Sequence, residues 1–332
     1  MSTILVVGLG QVGVRAARQL LDTPGVDRVL VGAPDLDDAR EIASALHDGA
    51  EALRFAPGDR VPDGVDAVAS AVPGEFDVRV ARAALSAGAA YASCADNEHT
   101  LRALLDLDEE AQAAGVRVVV GCGLAPGLSD VLARHAASLF DTVDEIHVAR
   151  FGVAGPASTS EVRRARGEPP YEWRDGQPLR DKRRGPQLVW FPEPVGAREC
   201  ELVATGVDLL VQANPGVPRI TARLGEPPPR RLPIASPRDP GVAWGSVRVE
   251  LWGSRGGRRT SVIYGAIERT ATAAGTVLGV TTAWLAGTGP DVATGPASGA
   301  FGLGVAVKPV PFLAELAQRG VKSATFEGVG VA

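Results

Sequence analysis

The sequence predicts an α/β fold in which a doubly wound parallel sheet is followed by an α+β domain on a mixed or antiparallel sheet. Three observations carry this. Residues 4–13, ILVVGLGQVG, read as an apolar strand, a tight turn and the start of a helix, with Gly8, Gly10 and Gly13 at G-x-G-x-x-G spacing. Across residues 1–123, apolar strand-like runs alternate with helical stretches, which requires parallel crossovers. Residues 245–264 read instead as two alternating runs joined by SRGG, a hairpin that belongs to antiparallel architecture.

The elements follow in order. RVLVG at 28–32 is a second strand, and 34–45 a helix with Asp35, Asp37 and Asp38 at its N-terminal end, where carboxylates complement the helix dipole. VDAVASAV at 65–72 is a third strand, closed by Pro73 and Gly74 and followed by a helix over 77–87. A short strand at 89–93, an acidic helix over 98–114 and an apolar strand at 116–121 complete the pattern. GLAPGLSDVLARHAASLF, 123–140, is expected to be one helix with Pro126 in its first turn, and 144–151 a strand. Residues 158–186 mix arginine with proline and glycine and are expected to form an exposed excursion. The uncharged run 270–287, interrupted by Gly275 and Gly279, suits a buried helix or a dimer contact better than a membrane span.

Bulk properties exclude several classes of function. A net charge of −5 argues against a nucleic-acid surface. Cys94, Cys122 and Cys200 share no short ligand spacing and are odd in number, so neither a zinc site nor a disulfide framework is expected. The four histidines are scattered, and no metal is assigned to them. Residues 1–3 lack the basic and apolar regions of an export signal, so a cytoplasmic location is expected.

Ligands of a doubly wound sheet bind at the carboxyl ends of its strands, so the exits at 8–13, 32–37, 71–74, 91–97 and 121–129 are expected to converge. The glycine motif is of the dinucleotide-binding type: Gly8 permits the turn, Gly10 lets a pyrophosphate approach the backbone, and Gly13 lets the helix pack on the strand. At the second exit Asp35 either reaches a ribose, favouring NAD over NADP, or caps the following helix. At the fourth, Asp96 is the first candidate for the catalytic proton transfer, with a helix cap as the alternative, and Tyr91, the second catalytic candidate, either orients the substrate or is half-buried packing. Cys94 has no base beside it in sequence to make it a nucleophile. At the fifth, the amides of Gly127, Leu128 and Ser129 are expected to be free at a helix start and to receive a carboxylate or a carboxamide. Arg150, alone on an apolar strand face, needs an anionic partner, and a substrate carboxylate is one.

Taken together, ILVVGLGQVG, SAVPGEFDVRVARAALSAGAAY (70–91), VVVGCGLAPGLSDVLA (118–133), WFPEPVG (190–196) and PFLAELAQRGVKSATFEG near the end resemble the saccharopine dehydrogenase-like family, most nearly its lysine dehydrogenase-like branch. The resemblance implies a Rossmann domain at 1–123, an inserted α+β domain at 124–294, and a segment at 295–332 returning to the first domain. It implies NAD(P)-linked oxidoreduction at the C–N bond of a small amino acid or opine, usually in a homodimer. Gly8, Gly10, Gln11, Val12 and Gly13 would then hold the pyrophosphate; Ala71, Val72 and Pro73 would line the cofactor; Gly127 and Leu128 would border substrate and nicotinamide. The chain departs from the pattern at Ser93, where the branch commonly has Asp, at Ala125, where saccharopine reductases carry Asp, and at Ala33, a strand tip with neither acid nor base. These departures leave two alternatives: a member without redox chemistry, acting as a non-redox biosynthetic enzyme or ligand-binding protein, and a trans-acting enoyl reductase.

Overall fold

The computed structural model describes residues 2–46, 49–152, 155, 158–160, 167, 169–180, 185–225 and 244–328. His47 and parts of the expected 158–186 excursion, at 161–166, 168 and 181–184, lie outside them. In chain order the first half holds β1 (Ser2–Val7), α1 (Gln11–Leu21), β2 (Val26–Ala33), α2 (Leu36–Leu46), β3 (Ala50–Arg54), β4 (Ala67–Ser70), α3 (Gly74–Ser86), β5 (Ala90–Ser93), α4 (Glu98–Leu105), α5 (Asp108–Ala114) and β6 (Arg117–Val120). Next come α6 (Leu128–Ala137), β7 (Thr142–Phe151), β8 (Tyr171–Arg174), β9 (Gln177–Arg180), β10 (Gln187–Trp190), β11 (Ala197–Val203), α7 (Val207–Ala213) and β12 (Arg219–Gly225). The last elements are β13 (Gly245–Arg255), β14 (Arg258–Glu268), α8 (Thr270–Leu285), β15 (Gly299–Gly302), α9 (Leu303–Ala306), α10 (Pro309–Gln318) and β16 (Ser323–Gly328).

The first sheet has the strand order β15-β6-β5-β4-β1-β2-β3, with every pairing parallel. This is the doubly wound arrangement, and its order reverses between β1 and β4. Both faces are buried because successive side chains alternate between two layers: Ile4 and Val6 enter one apolar cluster, Leu5 and Val7 the other.

The second sheet is mixed, in the order β10-β11-β12-β7-β13-β14-β16, with β8 and β9 attached to β12. β7 lies parallel to β12 and antiparallel to β13. Ile146, Val148, Ile220, Val247, Val249 and Leu251 point from this sheet into the same core as α6. The two ends of the C-terminal segment part company: β15 extends the first sheet beside β6, whereas β16 pairs with β14 of the second.

α8 ties the two sheets together. It leaves β14 and runs along α1, and a Cβ added to Gly275 would come within 2.8 Å of the Val12 carbonyl oxygen, one added to Gly279 within 2.8 Å of the Gln19 Cβ. Residues 273–284 are all buried within the chain. The small residues of this run therefore serve a helix–helix approach inside the chain, which corrects the expectation of a dimer contact there. No helix among the described residues is long and apolar enough to cross a membrane.

Other expectations also need correction. The helix expected over 123–140 begins only at Leu128, because residues 123–127 form a compact turn containing the cis Ala125–Pro126 peptide, so Pro126 precedes the helix. The acidic helix over 98–114 is two, interrupted at Asp106 and Leu107. The excursion contains the β8–β9 hairpin, turning at Asp175 and Gly176, and Tyr171 on it is fully buried.

Candidate active site

A cavity of about 160 Å³ opens above the carboxyl ends of β1, β4, β5 and β6, at the point where the strand order reverses. Four of the five strand exits reach it: Gly10, Gln11, Val12 and Gly13; Ala71, Val72, Pro73 and Gly74; residues 94–97; and residues 123–126. Arg150 of β7 and Thr270 and Ala274 of α8 close it from the second half of the chain.

The glycine turn leaves the start of α1 open. Gly8 sits at φ +87, and a Cβ there would meet the Ala71 backbone at 2.5 Å. Gly13 packs on the Gly8 carbonyl. A Cβ on Gly10, by contrast, would meet nothing within 4 Å, so its missing side chain leaves open space in front of the α1 amides. α1 carries no acidic residue in its first turn and no side-chain cap, which leaves its positive end available to an anion. α8 likewise starts without an acidic residue or a side-chain cap, and Thr270 in its first turn lines the same cavity.

Asp96 and Arg150 meet at this cavity although 54 residues separate them: Arg150 Nη1 donates to Asp96 Oδ2 at 2.8 Å, with the side chains 11% and 19% exposed. The cap of α4 is Asn97, whose Oδ1 accepts from the Thr100 amide, so Asp96 is not spent on capping. Arg150 thus has an anionic partner supplied by the chain itself. Burial and the nearby carboxylates of Asp77 and Asp96 push the Cys94 thiol well up, so it stays protonated beside the pair.

Several expected site residues stand elsewhere. Tyr91 is fully buried in the opposite layer, where its hydroxyl donates to Asp77. Burial, then the Asp77 charge, pushes its pKa well up, and it does not face the cavity. Ser70, Tyr91 and Ser93 all donate to the buried Asp77 carboxylate at 2.5 Å, a knot that fixes the tips of β4 and β5 beneath the cavity. The amides of Gly127, Leu128 and Ser129 are not free: they donate to Asp130 Oδ2, to the Gly123 carbonyl at 2.9 Å and to the Leu124 carbonyl at 3.1 Å. The turn at 123–127 folds back on the helix start, so the expected anion site there is filled by the chain itself. Leu128 and Ser129 are buried behind the cavity wall. Asp35 is exposed outside the cavity and accepts the Asp37 amide at 2.8 Å, as a helix cap does.

Sequence reasoning missed Gly155, Ser158, Thr270 and Ala274 as lining residues. The signal was present for α8: a small-residue run that packs on α1 brings its N-terminal turn to the glycine turn. Among the described residues no three His, Cys, Asp or Glu side chains gather as a metal site.

With this geometry in place, residues 4–119 match the saccharopine dehydrogenase NADP binding domain. Over that stretch, about a third of the chain, it is similar to the saccharopine dehydrogenase family. Apo saccharopine dehydrogenase (L-Glu forming) from Saccharomyces cerevisiae superposes with a TM-score of 0.72 at 13% identity, over 98% of this chain and 100% of that one. The meso-dapdh mutant with DAP from Clostridium tetani gives 0.55 at 13% identity, over 91% and 94% of the two chains. A probable dehydrogenase from Thermotoga maritima gives 0.51 at 13% identity, over 98% of each. At these identities the likeness is one of fold; the family match adds a nicotinamide-nucleotide-binding domain built on β1 to β6.

Proposed function

We propose that the chain is an NAD(P)-dependent oxidoreductase that acts on the C–N bond of a small amino-acid-like substrate. The observation that carries this reading is the Asp96–Arg150 pair facing the cavity beside the glycine turn. A guanidinium and a carboxylate held side by side are the complement of a zwitterion. An entering α-amino acid places its carboxylate on Arg150 and its ammonium on Asp96, exchanging one internal ion pair for two intermolecular ones.

The residues present fit the nucleotide. Gly10, Gln11, Val12 and Gly13 would hold its pyrophosphate at the α1 end, and Ala71, Val72 and Pro73 would flank its nicotinamide half. Such a cofactor supplies the hydride acceptor or donor. Asp96 takes the proton from the substrate ammonium in the oxidative direction and returns it in the reductive one, while Arg150 fixes the carboxylate so that the reacting carbon faces the Ala71–Gly74 wall. Apolar walls from Val12, Val72, Leu124 and Pro126 limit water at that carbon. Of the two nucleotides NAD is favoured: Asp35 stands near the β2 tip, and the neighbouring Arg40 and Arg54 are paired with Asp37 and Asp59.

Titration calorimetry with NADH and NADPH, followed by turnover on a panel of amino acids, tests the reading. Gly10→Val is expected to fold, since a Cβ there meets no protein atom within 4 Å, and to lose nucleotide binding. Asp96→Asn is expected to slow turnover roughly 100-fold or more if it moves the proton. Failure of the unmodified chain to bind either nucleotide sinks the proposal in favour of a non-redox member of the family; retained binding by Gly10→Val sinks the cradle assignment.

A further inference from the structure

Behind one wall of the first cavity lies a second that the proposed reaction leaves unused. It holds about 20 Å³, room for a single water-sized group. The two cavities share Ala125, Pro126 and Arg150, so the turn before α6 and one side chain of β7 stand between them. The second half of the chain supplies the rest: Val148 of β7, Val203 of β11, Leu210 of α7 and Ala222 of β12 give the space an apolar lining.

Asp130 interrupts that lining. Its side chain is 1% exposed, and its two oxygens differ: Oδ2 accepts the Gly127 amide, whereas Oδ1 is buried with no hydrogen-bond partner. A buried acceptor without a donor is costly to keep, and a ligand that brings the donor recovers that cost. Burial pushes the Asp130 pKa up to about 7, with the Gly127 and Asp130 amides and the Ser129 hydroxyl acting against it, so at neutral pH the carboxyl is no obligate anion awaiting a cation. Thr205, also buried, is a second polar residue on the same wall.

We propose that this second cavity seats the end of the substrate's side chain and selects a terminal hydroxyl, with Asp130 Oδ1 as its acceptor. The inference rests on the amino-acid reading of the first cavity. With the α-carboxylate on Arg150, the side chain leaves along the edge formed by Ala125 and Pro126, which both cavities share. Counting donors decides among the end groups. A hydroxyl brings one donor for Oδ1 and accepts from the Thr205 hydroxyl in return. An ammonium brings three donors and a full charge into an apolar space that already has Arg150 in its wall. A methyl group fits the volume but leaves Oδ1 unpaired. Asp130 therefore reads the far end of the substrate and takes no part at the reacting carbon.

Turnover by the full chain with NAD and with NADP, on matched pairs of L-amino acids, tests it: serine against 2-aminobutyrate, homoserine against norvaline, and 5-hydroxynorvaline against norleucine. Each pair exchanges a hydroxyl for a methyl group at one chain length. At the length that reaches Oδ1, kcat/KM is expected to favour the hydroxyl by roughly 10-fold or more. In Asp130→Asn the amide oxygen serves Gly127 and only donors face the cavity, so that preference should fall below about threefold; a merely structural loss would lower both members of a pair together. Thr205→Val keeps the shape of the wall and should also reduce the preference, and it decides the matter if the Asn variant does not fold. Turnover of every pair at ratios within about threefold overturns the subsite and leaves the reaction standing, as does an unchanged ratio in the folded variant. Absence of turnover and of calorimetric binding for every amino acid refutes the reaction itself, and the subsite with it.

Discussion

Asp130 gives the most quantitative prediction. Its side chain is 1% exposed; one carboxylate oxygen accepts the Gly127 amide and ties down the 123–127 turn, and the other, Oδ1, is buried without a hydrogen-bond partner. Burial pushes its pKa from 3.8 up to about 7, against the opposing pull of the Gly127 amide. An acid whose folded pKa is raised holds its proton longer in the folded chain than in the unfolded one. The stability it allows is therefore complete below pH 3.8 and is lost progressively as pH rises to about 7. At 1.36 kcal/mol per pKa unit, ionisation of Asp130 should remove roughly 2 to 3 kcal/mol between pH 5 and pH 8. Asp130→Asn keeps an acceptor for Gly127 but cannot ionise. Its buried amide imposes a constant penalty of about 1 to 3 kcal/mol, and the pH slope attributable to this group disappears. Urea unfolding of both proteins at several pH values should show Asn gaining on Asp by roughly 2 to 3 kcal/mol from pH 5 to pH 8. A difference that stays constant within about 0.5 kcal/mol over that range refutes the linkage argument.

The other predictions concern residues whose position the fold settles. Tyr91→Phe removes one of three hydroxyls from Asp77; the melting temperature should fall, with a loss of roughly 1 to 3 kcal/mol. Turnover per folded molecule should change less than about threefold, since the ring faces away from the cavity; a loss like that expected of Asp96→Asn would put Tyr91 back among the catalytic groups. Gly279→Leu drives a side chain into Gln19 and the Ala16 backbone, so it should cost about 1 to 3 kcal/mol or more in denaturant titrations. Wild-type stability in that variant would show that α8 does not depend on close approach to α1. Arg150→Met should raise KM for amino-acid substrates much more than it alters nucleotide affinity, and equal weakening of both would argue against a carboxylate role.

What the sequence made legible was local. The step from ILVV to GLGQVG specifies strand, turn and helix within ten residues, because an apolar run must be buried on both faces and the glycines leave one tight turn open to it. The parallel sheet followed from repetition of that pattern, and the β13–β14 hairpin from alternation on either side of Gly256 and Gly257. Eight strands, β3, β8 to β12, β15 and β16, escaped notice; runs such as QPLR and QLVW carry no periodicity of their own, and tertiary pairing makes them strands.

The site was legible as a set of places, much less as a set of partners. Strand exits can be numbered from sequence, and four of the five converge. Whether an amide at an exit is free depends on how the chain folds back over it, and at 123–127 a turn of five residues consumed the donors that a helix start would have offered. Arg150 shows the same limit from the other side. Its parity on β7 already placed it on the apolar face and demanded an anion, but only the packing of the two halves of the chain against each other shows that the anion is Asp96. The pair is therefore a product of both folding units, and the chemistry proposed for it requires both: the parallel sheet aims the carboxylate, and the second sheet delivers the guanidinium that holds it in place.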